Sequence, residues 1–437
     1  MRLHGFSAEV LRLALPAFGA LVAPSLLLLT DAAFIGSLGT HALAAYAGGA
    51  AVFGVATSLS YFLAYTSTSV VARRFGADQE SAALADGIDY IALGLLLGIG
   101  VGIVMWWGAA TFSTWIGVSD AVLPQAAAWI HGAAFGAPGM MAGMAAIGLF
   151  RGLQDTRIAF VVTVMQVSVN MALCAFFLFV LRIGTFGAGL AVGIAESIGF
   201  LAYALALARH VRVTDAPIRP TRLRGLGAAL VVGLPLLWRG ITLRVVLMGT
   251  TVVAARLGNQ ELAAFQVSLS VWYVLSNLLD ALAIAAQAMV GKRLGASQGH
   301  LVHEVVRRLL RWSVRYGIVV GALTMLLAPV VPALFSSDPT VQHLITICLL
   351  AVGVHQPLAA IVFLLDGVLI GSGDRRYIAF VLTMAMCTFL PIAWAVLHWQ
   401  LGVVGVWCAM IAFLTTRATL MMRRASSDTW IVEGATR

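Results

Sequence analysis

Charge is what this sequence has least of. Only 10% of its 437 residues are Asp, Glu, Lys or Arg, where an ordinary soluble domain carries about a quarter. A chain so poor in charge cannot cover a water-facing surface, so a soluble protein is excluded. Segments of about ten residues alternating apolar and polar are also missing, which excludes a transmembrane β-barrel. There are four cysteines, Cys174, Cys348, Cys387 and Cys408. All lie inside apolar runs and offer neither a disulfide framework nor a closely spaced metal motif. No phosphate-binding loop is present, which excludes an ATP-driven pump, and no HExxH or Ser/His/Asp pattern suggests hydrolysis. His131, His355 and His398 are scattered and read as structural. The N-terminal segment lacks the apolar core and cleavage site of a signal peptide, so the first helix is expected to act as the insertion signal. No cofactor and no metal is implied.

What remains is largely hydrocarbon: 61% of the residues are hydrophobic and the mean hydropathy is +0.97. Apolar runs cover 10–38, 44–72, 84–110, 122–150, 156–181, 187–208, 225–255, 262–291, 313–334, 342–370, 377–398 and 402–422. Each is long enough for a helix across a bilayer, which takes about 20 residues. The expected fold is an all-α integral membrane protein with twelve transmembrane helices. The formal net charge of +9 would suggest nucleic acid in a soluble protein; here its placement answers otherwise. With a cytoplasmic N-terminus, 23 of the 27 Lys and Arg fall in the tails and interior loops, Arg417 among them, and two, Arg182 and Arg256, in the opposite loops. That bias places both termini in the cytoplasm and makes nucleic acid unnecessary as a partner.

The chain repeats itself at an offset of 219 residues. SLGTHALAAY (37–46) returns as RLGNQELAAF (256–265), VARRFGA (71–77) as VGKRLGA (290–296), and Gly152 and Asp155 as Gly371 and Asp374. Beyond them the register slips by one. Six spans per half is an even number, so the halves enter the membrane from the same side, as parallel repeats. The expected organisation is a six-helix bundle over 1–208, a basic cytoplasmic linker over 209–224 and a second six-helix bundle over 225–437. The segment 292–312 is either a short amphipathic helix on the inner leaflet or the beginning of the ninth span.

Ionisable groups within spans are costly to keep in lipid and mark interior or functional positions. Asp31 lies in the first span, Glu196 in the sixth, Asp280 in the eighth and Asp366 in the tenth, with Arg239 and Arg244 in the seventh. Asp31 follows four leucines, and burial disfavours the charged form of its carboxyl. Such a group can take a proton from one side and release it when water arrives from the other. Pro24 removes a backbone hydrogen bond two turns earlier and is a candidate hinge. Gln166, Asn170 and Cys174, spaced by four, share a face of the fifth span. Gln166 and Asn170 either hydrogen-bond Asp31 or glue helices together. Glu196 is a second proton site or a structural acceptor. Arg239 and Arg244 are candidates to pair with Asp280 and Asp366, and a buried pair is the simpler reading of Arg239. At the offset of 219, Asp31 corresponds to Thr250, so the halves are chemically unequal. In GMMAGM (139–144), Gly139 and Gly143 have a close-packing spacing.

Several motifs together resemble the multidrug and toxic compound extrusion (MATE) family, and within it the DinF-like subfamily. They are LALP (13–16), TDAAFIGSLG (30–39), VARRFGA (71–77), GLFRGLQDTR (148–157), RLGNQELAAFQ (256–266), LLDALAIAAQAMVGKRLGA (278–296) and LDGVLIGSGDRRY (365–377). The resemblance implies a V-shaped pair of pseudo-symmetric bundles in a bacterial-type plasma (inner) membrane. It implies a secondary active antiporter, working as a monomer, that exports amphipathic or cationic small molecules in exchange for protons or sodium. Asp31 and Asn170 then belong to the cavity of the first half, Asp280 and Asp366 to that of the second. One position departs from the pattern: Cys174 stands where the family often has Asp. A sodium site is weakened by that loss, which favours protons. A flippase for lipid-linked precursors, from the same superfamily, is the alternative; it would need several cavity cations, and only Arg239 and Arg244, on one helix, are at hand. An embedded enzyme would need polar residues clustered at one depth, and the acids here are spread over four helices.

Overall fold

The computed structural model describes residues 3–214 and 223–436, with side chains from Ser7 to Thr214 and from Arg224 to Thr436. Residues 215–222 of the expected linker lie outside the described residues. Among the described residues every regular element is helical, as a backbone with no water to bond must be. The first half consists of α1 (Leu3–Gly36), α2 (Thr40–Gly76), α3 (Glu80–Ile116), α4 (Leu123–Ala134), α5 (Ala137–Gly152), α6 (Thr156–Ala175) and α7 (Gly184–Thr214). It is followed by α8 (Leu223–Leu257), α9 (Asn259–Gly295), α10 (Gly299–Leu327), α11 (Pro339–Gly371), α12 (Arg375–His398) and α13 (Gly402–Ala425). Eleven helices are long and apolar enough to cross a membrane, and α4 with α5 makes a twelfth span bent by 51°.

That bend divides the fourth apolar run, 122–150, into two helices. Pro138 in the first turn of α5 has no N–H to continue the helix, and Gly136 lets α7 approach the break. A Cβ built on Gly136 would lie 2.5 Å from the Cα of Gly193. The fifth span ends in a π turn, Phe176–Val180, after α6. The ninth span begins earlier than its apolar run and stops sooner. Gly299 to Leu327 is one helix, so 299–312 is its amphipathic opening, not a separate surface helix. Pro332 lies in the 3₁₀ turn Val331–Leu334 beyond its end.

The repeat is visible in backbone detail. Gly39 and Gly258 (φ 115° and 152°), Asp78 and Ser297 (56° and 54°) and Gln154 and Gly373 (66° and 79°) are left-handed positions separated by 219 residues. After the register slip, Arg182 pairs with Gln400 (55° and 51°) and Gly184 with Gly402 (64° and 67°).

The described residues divide into two units, Met1–Leu237 and Trp238–Ala435, with the division inside α8. In the first unit, α5 packs between α2 and α3, and α7 packs on α4 and α6. Trp129, fully buried, anchors a core with Tyr46 and Phe53, whose ring centroids lie 5.8 and 6.2 Å away. In the second unit, α11 packs on α9, α10 and α13. One close approach recurs at equivalent positions of both units: a Cβ on Gly148 would sit 2.4 Å from the carbonyl of Ala64, and one on Gly367 2.2 Å from that of Ala283. Small residues that let backbones touch are how lipid-embedded helices associate. Loop acids finish the ends. Asp155 caps α6 by accepting from the Arg157 and Ile158 amides, and Asp374 is bound by Arg424 at 2.8 Å.

Candidate functional site

Asp31 lies on α1 five residues before its end, facing α6, against which α1 packs. It is 3% exposed, although its neighbours Leu28 and Leu29 are exposed outward. Asn170 of α6 donates its Nδ2 to both carboxylate oxygens, at 3.0 and 3.1 Å. The Cys174 thiol, one turn further on, is also within hydrogen-bonding reach of Asp31. The Asn170 Oδ1 is buried with no partner. Ile35, Tyr46, Cys174 and Phe177 belong to the apolar cluster around this pair. Tyr46 turns its hydroxyl away from the acid to the Leu28 carbonyl, at 3.3 Å.

Of the two side chains expected to reach Asp31, only Asn170 does so. Gln166 instead donates to Glu196 of α7 at 3.1 Å, a separate contact holding α6 to α7. Gly199 makes room for it, since a Cβ there would lie 2.2 Å from the Gln166 amide. Gly139 packs against the Glu196 backbone, where an added Cβ would lie 2.9 Å from the carbonyl oxygen, whereas a Cβ on Gly143 would meet nothing within 4 Å. The expected Gly139–Gly143 packing pair is therefore half right. Met140 of the same motif is buried and accepts from Thr57 at 3.1 Å. Pro24 lies within a continuous α1.

In the second unit, Asp366 of α11 binds two arginines, Arg239 of α8 at 2.8 Å and Arg417 of α13. The pairing expected for Arg239 is present. Arg417 corrects the charge tally: it is not a loop residue but 3% exposed inside α13. Its position within the apolar run 402–422 was the signal that could have revealed it. Asp280, on α9, is half-buried. Arg244 is half-buried on α8, and among the described residues no carboxylate pairs with it. The histidines are packed as rings: His355 stacks on Trp407 and His398 on Trp394, with centroids 5.3 and 4.9 Å apart, and His131 bonds the Trp106 carbonyl at 3.0 Å.

Twelve apolar spans, an internal repeat and ionisable groups buried within spans of each unit define a multi-pass membrane protein of the transporter class. The MatE family model matches the chain twice, over 16–176 and 235–395, and the chain belongs to that family. The two matches are offset by 235 − 16 = 219 residues, the offset read from the sequence. Members of the family are transporters, not enzymes. Among relatives, Protein DETOXIFICATION 43 of Arabidopsis thaliana is 28% identical, over 96% of this chain and 90% of its own length. DNA damage-inducible protein F of Escherichia coli is 26% identical, over 96% and 92%. The probable multidrug resistance protein NorM of Pseudomonas aeruginosa is 28% identical, over 73% and 65%. A crystal structure of MATE in the bent conformation matches with a TM-score of 0.86 at 20% identity, covering 96% of both chains. An outward-facing multidrug resistance MATE family transporter matches with a TM-score of 0.83 at 21% identity, over 96% and 95%. At these identities the structures establish the fold alone.

Proposed function

We propose that this transporter is a secondary active antiporter that exports amphipathic, including cationic, small molecules in exchange for protons. It would act as a single chain in a bacterial-type inner membrane with both termini in the cytoplasm. The observation that carries the reading is the Asp31–Asn170 pair: a carboxyl group held within a span, sealed by apolar side chains and bonded by one amide. An ionised Asp31 accepts two N–H bonds from Asn170. A protonated Asp31 can donate to the Asn170 Oδ1 after a half-turn of the amide. Both charge states are thus satisfied by one neighbour, which lowers the penalty of either in a dry site. Pro24 lies between Gly19, packed on the Phe160 ring of α6, and Asp31. The missing backbone bond there gives α1 a point about which the acid-bearing half can move. Glu196, bonded to Gln166, is the second acid available to the same unit.

Asp366 is held by two guanidinium groups and is a poor candidate for carrying a proton or a sodium ion. Cys174 beside Asp31 supplies sulfur where sodium would want oxygen. Both support protons over sodium. The test is efflux of a fluorescent cationic dye from cells making wild type or Asp31→Asn. The expected result is loss of efflux with an unchanged amount of protein in the membrane. Wild-type efflux by the Asn variant would remove Asp31 from the mechanism.

A further inference from the structure

The exposed side of α10 carries a row of arginines that no carboxylate of the chain answers. Arg307, Arg311 and Arg315 follow one another at intervals of four, and all three are exposed. At 100° per residue they share an arc of about 100° with Ile318, Ala322 and Leu326, which are exposed as well. One face of the helix thus begins with cations and continues as bare hydrocarbon. The row covers about 12 Å along the axis, and the headgroup layer of one leaflet is about 5–8 Å deep. With Ile318 at the edge of the hydrocarbon, Arg315 and Arg311 fall in that layer and Arg307 lies at its outer limit.

Among the described residues none of the three arginines takes part in an ion pair. Glu304, the carboxylate on the same arc, is bound to Arg308 instead. Like charges four apart on a helix repel, so the row weakens the opening of α10 unless anions lie against it. The C-terminal segment does not cover it. That segment is fastened to α10 through Gly299, whose amide donates to Glu433 at 2.6 Å, and through His303, which binds Asp428 at 2.8 Å. Trp430 is fully buried there, and the three arginines stay exposed.

The fold does not require these charges, as the repeat shows. A Cβ on Gly98 of α3 would lie 2.5 Å from the Pro138 Cα, and one on Gly317 of α10 2.8 Å from the Pro357 Cα. One on Gly102 would lie 2.9 Å from the Ala134 carbonyl oxygen, and one on Gly321 2.4 Å from that of Gly353. All four residue pairs are related by 219, so α3 and α10 pack in the same register. In that register Arg307, Arg311 and Arg315 stand where α3 has Ile88, Ala92 and Leu96. Leu96 is exposed, so Arg315 points where the twin helix presents hydrocarbon.

We propose that Arg307, Arg311 and Arg315 form a binding surface for the phosphate groups of anionic phospholipid at the edge of the bilayer. Guanidinium forks suit phosphate oxygens, and basic residues beside a span draw anionic lipid towards it. The inference needs only that the chain crosses a bilayer. It stands apart from export and from the coupling ion.

The test is equilibrium binding of acyl-labelled fluorescent phosphatidylglycerol and phosphatidylcholine to the full-length protein in neutral detergent, read by anisotropy. Wild type should bind the anionic lipid about tenfold more tightly or better, and high salt should narrow the gap. Replacing Arg307, Arg311 and Arg315 together by Gln should bring phosphatidylglycerol down to the affinity of phosphatidylcholine and leave the latter unchanged. Arg209, Arg212 and Arg224 are also exposed, near the ends of α7 and α8. Replacing those three by Gln removes the same charge and should keep the preference. Equal affinity of wild type for both lipids would overturn the proposal and leave the row to a soluble acidic partner. An unchanged preference in the first triple variant, or an equal loss in both, would overturn it too. Displacement of the bound lipid by an equal concentration of glycerol 3-phosphate would assign the row to soluble phosphates and contradict the lipid assignment.

Discussion

Asp31 and Asp366 are both carboxylates buried within spans, yet their neighbours give them different chemistry. Asp31 has an amide and a thiol; Asp366 has two permanent cations. Removing Asp366 should leave the guanidiniums of Arg239 and Arg417 without their shared carboxylate in a dry core, with a cost of about 3–5 kcal/mol for an uncompensated buried charge. Asp366→Ala should therefore unfold at a much lower temperature in detergent, whereas Asp366→Ala combined with Arg417→Ala should recover part of the loss. A double-mutant cycle of melting temperatures measures this. Asn170→Ala strips Asp31 of both N–H bonds, and leaving the acceptor unsatisfied should cost about 1–3 kcal/mol and reduce efflux. The sequence made Asp31 and Asn170 legible because a polar residue among leucines has few explanations. It did not separate Asn170 from Gln166, since both lie on one face of α6. Only the packing of α7 against that face decides that Gln166 meets Glu196. Arg417 was hidden because a cation near the end of a span reads as a loop charge unless its neighbours are known.

Among the elements, contacts are set by where the backbone has no side chain. Gly148 and Gly367 bring α5 and α11 onto a carbonyl of an earlier helix of the same half, Ala64 of α2 and Ala283 of α9. Gly367→Leu should force α9 and α11 apart, an overpacking cost of about 1–3 kcal/mol or more, and reduce the yield of folded protein. Gly143→Ala, with nothing within 4 Å of the added methyl, should be silent in the same thermal assay. Most span boundaries were legible from hydropathy, but those of the ninth span and the break between α4 and α5 were not. Pro138 lies inside the run 122–150, and hydropathy does not register a missing N–H. At the start of α11, Asp338 is exposed and accepts from the Thr340 amide at 2.8 Å, which holds its carboxyl below the usual 3.8. A depressed value stabilises the folded chain above pH 3.8 and ceases to do so as pH falls through the folded value. Asp338→Ala should thus melt slightly lower than wild type at pH 7, with the gap closing as the solution is acidified below 3.8.

For the whole molecule, one backbone plan is used twice with different interior chemistry. Paired left-handed turns at 39 and 258, 78 and 297, and 154 and 373 show that duplication preserved the scaffold. The first unit has Asp31 and Glu196 inside its spans, and the second has Arg239 and Arg417 against Asp366. The repeat was legible because its glycines and turn motifs are fixed by backbone geometry and packing. The difference in chemistry was only partly legible, because pairing partners come from helices far apart in sequence.

The most direct measurement of the central claim is internal pH in proteoliposomes loaded with a transported cationic dye, with and without sodium. Outward movement of dye through wild type should carry protons inward and acidify the interior equally in both salts, and Asp31→Asn should abolish both fluxes. Dye movement that requires sodium and leaves the internal pH unchanged would contradict the account.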